Sequence, residues 1–179
     1  MIFRPTALSG VFVVEQERLA DERGWFARTY CSKELAEHGL NPVIAQSSVS
    51  HNARAGTLRG MHYQAEPRAE SKLVRCTRGA IYDVALDLRP GSPSYLKWFA
   101  AELSEDDGRA LYVPAGCAHG FQTLADTTEV LYDISIPYHA ASGRGVRWDD
   151  PSFGIAWPEP PAGGRTLSER DAGYADFRP

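Results

Sequence analysis

Strand-like runs separated by turn residues restrict the fold of this chain more than any other feature of its sequence. Each run is rich in β-branched and aromatic residues and is followed by Gly, Pro, Asp or Ser, a pattern typical of short β-strands joined by turns. Many short strands at this spacing predict an all-β fold, either a sandwich or a barrel. The predicted strands cover residues 10–15, 72–76, 80–88, 95–103, 110–113 and 129–136.

Helical signals are weak and brief. Ser32 is placed to cap a short helix over residues 32–38, and residues 104–108 are a second candidate. A last turn is expected at residues 167–171. With 179 residues and no repeat or linker, the chain is predicted to form a single domain over residues 1–179.

The composition excludes several classes of function. Hydrophobic residues make up 43% and charged residues 23%, which is ordinary for a globular protein and argues against disorder. The net charge of -4 provides no overall basic field, so neither nucleic acid nor an anionic membrane is an expected partner. An anionic ligand would have to be bound by locally placed arginines. Because no apolar run is long enough to span a membrane and the N-terminus lacks the features of a secretory signal, a cytoplasmic location is expected.

Residues 58–64, with the sequence LRGMHYQ, bring a guanidinium, an imidazole and an amide together in one predicted strand. Strict alternation places His62 and Gln64 on one face and Arg59 on the other, unless Gly60 introduces a bend or bulge that changes the direction of one of them. A lone strand histidine is often a hydrogen-bonded structural residue, so these residues alone leave the role of His62 open.

The predicted strand at 80–88 has one apolar face, while its other face carries Asp83 and Asp87. Two interpretations fit this alternation. The carboxylates are either solvated on an outer face, or they line the interior of a barrel.

Residues 108–119 have the Gly, Pro, Gly and His spacing of the second cupin motif, which would make His119 a metal ligand. The first motif needs a His-x-His pair, but Gln64 stands where its second histidine belongs. Two histidines without a nearby carboxylate fall short of the usual ligand set, so no metal is predicted. Three cysteines without C-x-x-C spacing indicate free thiols, and for Cys117 packing is favoured over a role as nucleophile.

Nine segments in fixed order resemble the dTDP-4-dehydrorhamnose 3,5-epimerase family. None of them is specific alone, but the ordered set is. The resemblance implies a cupin-like double-stranded β-helix, or jelly roll, with a few short peripheral helices, a homodimer and an isomerase that needs no cofactor. The segments are DERGWF (21–26), LRGMHYQ (58–64), KLV (72–74), DVALDLR (83–89), GSP (91–93), PAGCAHGF (114–121), LY (131–132), WDDP (148–151) and LSERD (167–171).

The resemblance assigns catalytic roles to four residues. In the family reaction, a ketone at C4 acidifies the C3 and C5 hydrogens of a nucleotide-linked 4-keto-6-deoxyhexose, so that a base can form an enolate and an acid can return a proton to the opposite face. His62 resembles the base, Asp171 the carboxylate that orients it and Tyr132 the proton donor. Lys72 resembles the cation that stabilises the enolate oxygen.

The resemblance also assigns substrate-binding positions. Arg23 and Arg59 match the arginines that bind the diphosphate, and Tyr138 matches the aromatic residue that stacks on the base. Asp83 is a candidate partner for an inward histidine. The remaining matched positions are Phe26, Arg28, Gln46, Ser48, Lys72, His119 and Arg170.

Several positions depart from the family pattern, and they lie near the expected nucleotide site. They leave open whether the base is thymine, cytosine or another, and the sequence also leaves open whether C3, C5 or both are inverted. Two alternatives to the epimerase remain, a metal-dependent cupin enzyme and a sugar-binding cupin without catalysis. The departures are Arg28 for Glu, Ser47-Ser48 for Asp-Asn, Asp133 for Lys, Gly143 for Glu and Arg170 for Lys.

Overall fold

The computed structural model describes residues 1–178, and the prediction of an all-β fold is confirmed. Two short α-helices, α1 (Ser32–Glu37) and α2 (Glu169–Ala172), and a 3-10 turn at Ala140–Ser142 accompany the strands. The strands are β1 (Ile2–Pro5), β2 (Phe12–Glu15), β3 (Leu19–Asp21), β4 (Gly24–Phe26), β5 (Gln46–Asn52), β6 (Leu58–Gln64), β7 (Lys72–Arg78), β8 (Ala80–Asp87), β9 (Trp98–Ser104), β10 (Ala110–Val113), β11 (Cys117–Thr123), β12 (Thr128–Ile134) and β13 (Gly143–Gly145).

The strands form two antiparallel sheets and a separate hairpin. The six-stranded sheet has the order β1-β2-β10-β7-β12-β5, the five-stranded sheet has the order β13-β6-β11-β8-β9, and β3 pairs with β4. From β5 to β8 and from β9 to β13, consecutive strands alternate between the two sheets. This alternation is the connectivity of a jelly roll.

The core lies between the two sheets. Val74, Leu111 and Val130 of the six-stranded sheet pack against Ile81 and Phe121 of the five-stranded sheet, and all five are at most 1% exposed. Aliphatic and aromatic side chains buried in this way are the main stabilising contribution to such a sandwich. Inward positions therefore carry apolar residues over most of the interface between the sheets.

The outer face of each sheet is also covered, which explains why β8 is buried on both sides. Val84 and Leu86 point away from the core between the sheets and pack against Val146 and Phe153 of the segment that follows β13. On the other sheet, Leu35 of α1 covers part of the outer face. Asp83 and Asp87 consequently share the inner face of β8 with Ile81 and Ala85, so the alternative of a solvated face is wrong.

Two local predictions are corrected. The candidate helix at 104–108 is absent: Ser104 ends β9 and residues 105–107 form a turn, in which the Ser104 hydroxyl accepts the Asp107 N–H and the Asp107 carboxylate accepts the Arg109 N–H. The first helix is present, but its cap position is Cys31 rather than Ser32, and no side chain caps it. Within residues 1–178, the structure contains no helix long and apolar enough to cross a membrane.

Candidate active site

A cavity of about 420 Å³ opens between the sheets, where polar residues replace the apolar ones on the inner faces. This inter-sheet cavity is lined from the six-stranded sheet by residues of β5, β7 and β12, and from the five-stranded sheet by residues of β6, β11 and β13. Residues at α2 complete its wall. Nine residues that the sequence predicted for the site line it: Ser48, Arg59, His62, Lys72, His119, Tyr132, Tyr138, Arg170 and Asp171.

A bulge in β6 explains why Arg59 and His62 line the same cavity. His62 pairs with His119 and Arg59 pairs with Phe121, so three residues of β6 span the length of two residues of β11. Gly60 has a φ of 127°, and a Cβ there would lie 2.5 Å from the Gly120 Cα. Only glycine fits this bulge, and the extra residue brings Arg59 to the cavity although strict alternation would place it on the other face.

His62 and Asp171 form a hydrogen-bonded pair at the wall of the inter-sheet cavity. The distance from His62 Nε2 to Asp171 Oδ1 is 2.7 Å, and the Gly60 N–H donates to Asp171 Oδ2 at 3.2 Å. Burial opposes ionisation of Asp171, but the hydrogen bond from His62 and those from Gly60 and Ser168 outweigh it, so the pKa of Asp171 lies below its usual value. Because an ionised carboxylate only accepts hydrogen bonds, Nε2 carries the proton and Nδ1 retains the lone pair that a base needs.

A second histidine–aspartate pair lies on the neighbouring strands. His119 Nε2 is 2.7 Å from Asp83 Oδ1, and both side chains are buried. The other oxygen, Asp83 Oδ2, is buried without a hydrogen-bond partner among residues 1–178. Asp83 is thus the partner of an inward histidine, as the sequence suggested.

Tyr132 and Lys72 approach the inter-sheet cavity from the sheet opposite the two histidines. Tyr132 lies on β12, and its ring meets the His119 ring edge-on at a centroid distance of 5.9 Å. Burial, together with the nearby Asp83, raises the pKa of Tyr132 well above its usual value, so its hydroxyl remains protonated and able to donate. Lys72 begins β7, and its Nζ donates to the His62 carbonyl oxygen at 3.3 Å.

Four predicted binding residues do not line the inter-sheet cavity of this chain. Arg23 and Phe26 belong to the β3–β4 hairpin, where their exposed fractions are 84% and 73%, and Arg23 pairs with Asp21. Arg28 forms an ion pair with Glu34 at 2.7 Å. Gln46 Oε1 accepts the Tyr138 N–H at 2.6 Å, so it positions the backbone of the expected stacking residue.

The departures from the family pattern divide into those outside the inter-sheet cavity, which include Arg28, and those that line it. Ser47 and Asp133 lie opposite each other on β5 and β12, and the Ser47 hydroxyl donates to the Asp133 carboxylate at 2.5 Å outside the inter-sheet cavity. This pair accounts for two departures without involving a ligand. Ser48, Gly143 and Arg170 line the cavity, where a bound ligand would contact these changed positions.

Two charged residues that line the cavity were missed by the sequence analysis. Glu70 forms an ion pair with Lys72 at 2.8 Å, and Arg144 lies on β13, which pairs with β6. Glu70 lies two residues before Lys72, and in an extended chain this spacing directs both side chains to the same side, so Glu70 could have been predicted from Lys72. Arg144 gave no such signal, because β13 is too short to recognise from its sequence.

The donor groups do not favour a metal site. Each cavity histidine directs Nε2 to a carboxylate, and the Gln64 amide donates to the Arg68 carbonyl oxygen and accepts the His139 N–H. Within residues 1–178 no group of three or more His, Cys, Asp or Glu residues is arranged to hold a metal ion. Cys117 lies outside the cavity wall, and burial raises the pKa of its thiol to about 12, which agrees with packing rather than nucleophilic attack.

Comparison with known proteins connects this geometry to one family. Residues 5–178 match the family model described as dTDP-4-dehydrorhamnose 3,5-epimerase. A protein of that name from Sinorhizobium fredii is 44% identical over 172 residues, which cover 96% of this chain and 87% of the relative.

Solved structures of proteins with that name are similar to this chain over nearly its whole length. The structure from Elizabethkingia anophelis has a TM-score of 0.95 at 35% identity and covers 99% of this chain and 96% of its own. The structure from Bacillus anthracis, with TDP and PPi bound, has a TM-score of 0.91 at 38% identity and covers 98% of this chain and 99% of its own. The cupin-like jelly roll that the sequence resemblance implied is confirmed.

Proposed function

The chain belongs to the dTDP-4-dehydrorhamnose 3,5-epimerase family, and we propose that its inter-sheet cavity inverts C5, C3 or both of a nucleotide-linked 4-keto-6-deoxyhexose without a cofactor. It is an isomerase of the epimerase type that acts on a nucleotide sugar. One observation carries the proposed mechanism: a histidine paired with an ionised carboxylate faces, across the cavity, a tyrosine that remains protonated. A base on one side and an acid on the other are what inversion requires.

The proton transfers follow from this arrangement. His62 takes the proton next to the ketone through Nδ1, and Asp171 stabilises the imidazolium that forms. The electron pair moves to the C4 oxygen, where the Lys72 ammonium stabilises the enolate more than the neutral ketone. Tyr132 then donates its proton to the opposite face of the same carbon. The base and the acid would each contribute about 10² to 10⁴ in rate.

The anionic part of the substrate requires cations at the same cavity. Arg59 Nε donates to Asn52 Oδ1 at 2.7 Å, which orients the guanidinium and leaves its terminal N–H groups for the oxygens of a diphosphate. Tyr138 provides an aromatic face for the base, and Arg170 and Gly143 lie at the same wall. The TDP bound to the Bacillus anthracis relative supports a thymidine nucleotide for this chain.

We further propose that the active form is a homodimer in the cytoplasm. The β3–β4 hairpin exposes Leu19, Trp25 and Phe26 to solvent, a costly arrangement in a lone chain. Because Arg23 and Phe26 match substrate-binding positions but do not reach the cavity of their own chain, a second copy would receive them. The free cysteines among the described residues fit a reducing compartment.

The reaction is tested with dTDP- and CDP-4-keto-6-deoxyglucose in deuterated water, by following hydrogens at C3 and C5 with NMR. We expect deuterium to enter C5, C3 or both with at least one substrate, and the rate to be unchanged after treatment with EDTA. The absence of exchange with both substrates would refute the epimerase reaction. A rate lost to EDTA and restored by a divalent metal would instead support the metal-dependent cupin.

The shared site is tested by mixing two inactive variants, Arg23→Ala and His62→Ala. In a mixed dimer, one site combines the intact His62 of one chain with the intact Arg23 of the other. After dissociation and reassembly, the mixture should recover about a quarter of wild-type activity. If Arg23 acts in its own chain, every site of the mixture is defective and no activity returns.

A further inference from the structure

Glu70 is an unexpected residue in a cavity proposed to bind an anion. Its carboxylate lies in the wall together with the cationic side chains of Arg59, Lys72, Arg144 and Arg170. A negative charge at this place weakens the binding of a diphosphate in the ground state, because like charges repel. Glu70 must therefore contribute something other than affinity.

The contacts of Glu70 indicate what it contributes. Its Oε1 is 2.8 Å from Lys72 Nζ, and each of the two side chains is only 9% exposed. An ion pair that is largely withdrawn from water is screened little by solvent and holds its partners more firmly than a surface pair. Among the described residues that line the inter-sheet cavity, Glu70 and Asp171 are the carboxylates, and each contacts one proposed catalytic side chain.

The hydrogen-bonding capacity of Lys72 is not used up by its contacts within the protein. An ammonium group has three N–H donors. Lys72 Nζ donates one N–H to the carbonyl oxygen of His62 and forms an ion pair with the Glu70 carboxylate at 2.8 Å, so both neighbours are acceptors of the protein itself. These two contacts restrict the position of the ammonium while leaving it donor capacity for a substrate oxygen.

We propose that Glu70 is a positioning residue that holds the Lys72 ammonium so that its remaining N–H points to the C4 oxygen of the substrate. Because the same ammonium also contacts the backbone of His62, Glu70 keeps the enolate-stabilising group at a constant position relative to the base. The benefit appears only when negative charge develops on the oxygen. This inference rests on the proposed epimerase function and adds a residue to it.

The test compares Glu70→Leu and Glu70→Gln with the wild type in the deuterium-exchange and epimerisation assays. Glu70→Leu removes the acceptor, and the loosened ammonium should lower kcat about 100-fold. Glu70→Gln keeps an oxygen acceptor of the same length, so that it should recover part of the loss and lie about 10-fold below the wild type. KM should fall or stay unchanged in both variants, since a negative charge is removed from an anion site. Glu66→Gln is the matched control, because Glu66 lies exposed in the same loop outside the cavity wall.

A double-mutant cycle with Lys72→Met determines whether Glu70 acts through the lysine. If it does, Glu70→Leu lowers kcat no further once Lys72 is replaced. Equal losses in both backgrounds, a raised KM at unchanged kcat, or full activity of Glu70→Leu would each overturn the inference. Inactivity of the wild type itself would refute the proposed function instead, and the unfolding midpoints of all variants identify any loss that comes from misfolding.

Discussion

The two histidine–aspartate pairs of this protein have the same geometry but different access to solvent. His62 and His119 lie opposite each other on β6 and β11, and each Nε2 is 2.7 Å from a carboxylate oxygen. The His62 side chain is 37% exposed and that of Asp171 6%, whereas His119 is 4% exposed and Asp83 0%. The same residue types at the same distance therefore differ only in burial and in their neighbours.

In the proposed mechanism, this difference separates a proton-transferring pair from a structural one. A base must reach the substrate and later return its proton to water, and only the exposed ring of His62 can do both. The buried pair can exchange protons with solvent far less readily, but it holds His119 against Tyr132 and places a carboxylate near the tyrosine hydroxyl. Replacing members of the two pairs should consequently affect catalysis in one case and stability in the other.

The largest effect is expected from removing the exposed histidine. His62→Ala should lower the rate of deuterium exchange by about 10³ or more, since it removes the base. The unfolding midpoint should fall less than when the buried pair is broken, because Asp171 loses the His62 hydrogen bond but keeps the one from the Gly60 N–H. Exchange measured by NMR and urea denaturation give the two values, and exchange that persists at the wild-type rate would mean that another group is the base.

Removing the buried carboxylate should have the opposite profile. Asp83→Ala leaves the largely buried His119 without its partner, which should cost about 3 kcal/mol in the free energy of unfolding. Urea denaturation checks this value, and Asp83→Asn, which keeps the size and one oxygen acceptor, should lose less. If Asp83→Ala is as stable as the wild type but inactive, the buried pair belongs to the catalytic machinery and the division fails.

Tyr132 lies beside the buried pair but is expected to act on the same substrate as His62. Tyr132→Phe removes the donor for the opposite face, so epimerised product should form about 100-fold more slowly. Proton removal by His62 should be affected less, so that deuterium enters the substrate with retention of configuration. NMR distinguishes the two outcomes, and an equal loss of exchange and inversion would argue against an acid on the opposite side of the cavity.

Strands with apolar inner faces could be predicted from the sequence, whereas strands made by pairing alone could not. The predicted strand at 110–113 has the bounds of β10, and the one at 80–88 extends a single residue beyond β8. In contrast, β5 has the sequence QSSVSHN and was not predicted, because its backbone hydrogen bonds to β12 define it rather than any apolar pattern. Edge strands of this kind carry little sequence signal.

Site residues were predictable in kind, but their placement depended on tertiary contacts. The ordered motifs brought His62, Lys72, Tyr132 and Asp171 to notice, and all four line one cavity. The direction of Arg59 depends on the bulge at Gly60, which alternation alone left open. The position of the hairpin that carries Arg23 depends on packing beyond its own strands, so no local pattern could indicate that it lies away from the cavity.

The smallest expected effect is on the pH dependence of the free energy of unfolding below about pH 4, and it tests the exposed pair through its carboxylate, Asp171. The pKa of Asp171 in the folded protein lies below its usual value, so its ionisation stabilises the fold above the unfolded pKa of about 4. That contribution should disappear as the pH falls from about 4 through the lower folded pKa, since a protonated carboxyl no longer favours the folded state. Asp171→Asn lacks the titration, so its unfolding midpoint should depend less on pH below this point and approach that of the wild type. Urea denaturation over this pH range measures the convergence. Parallel curves for the two proteins would show that folding does not lower the pKa of Asp171.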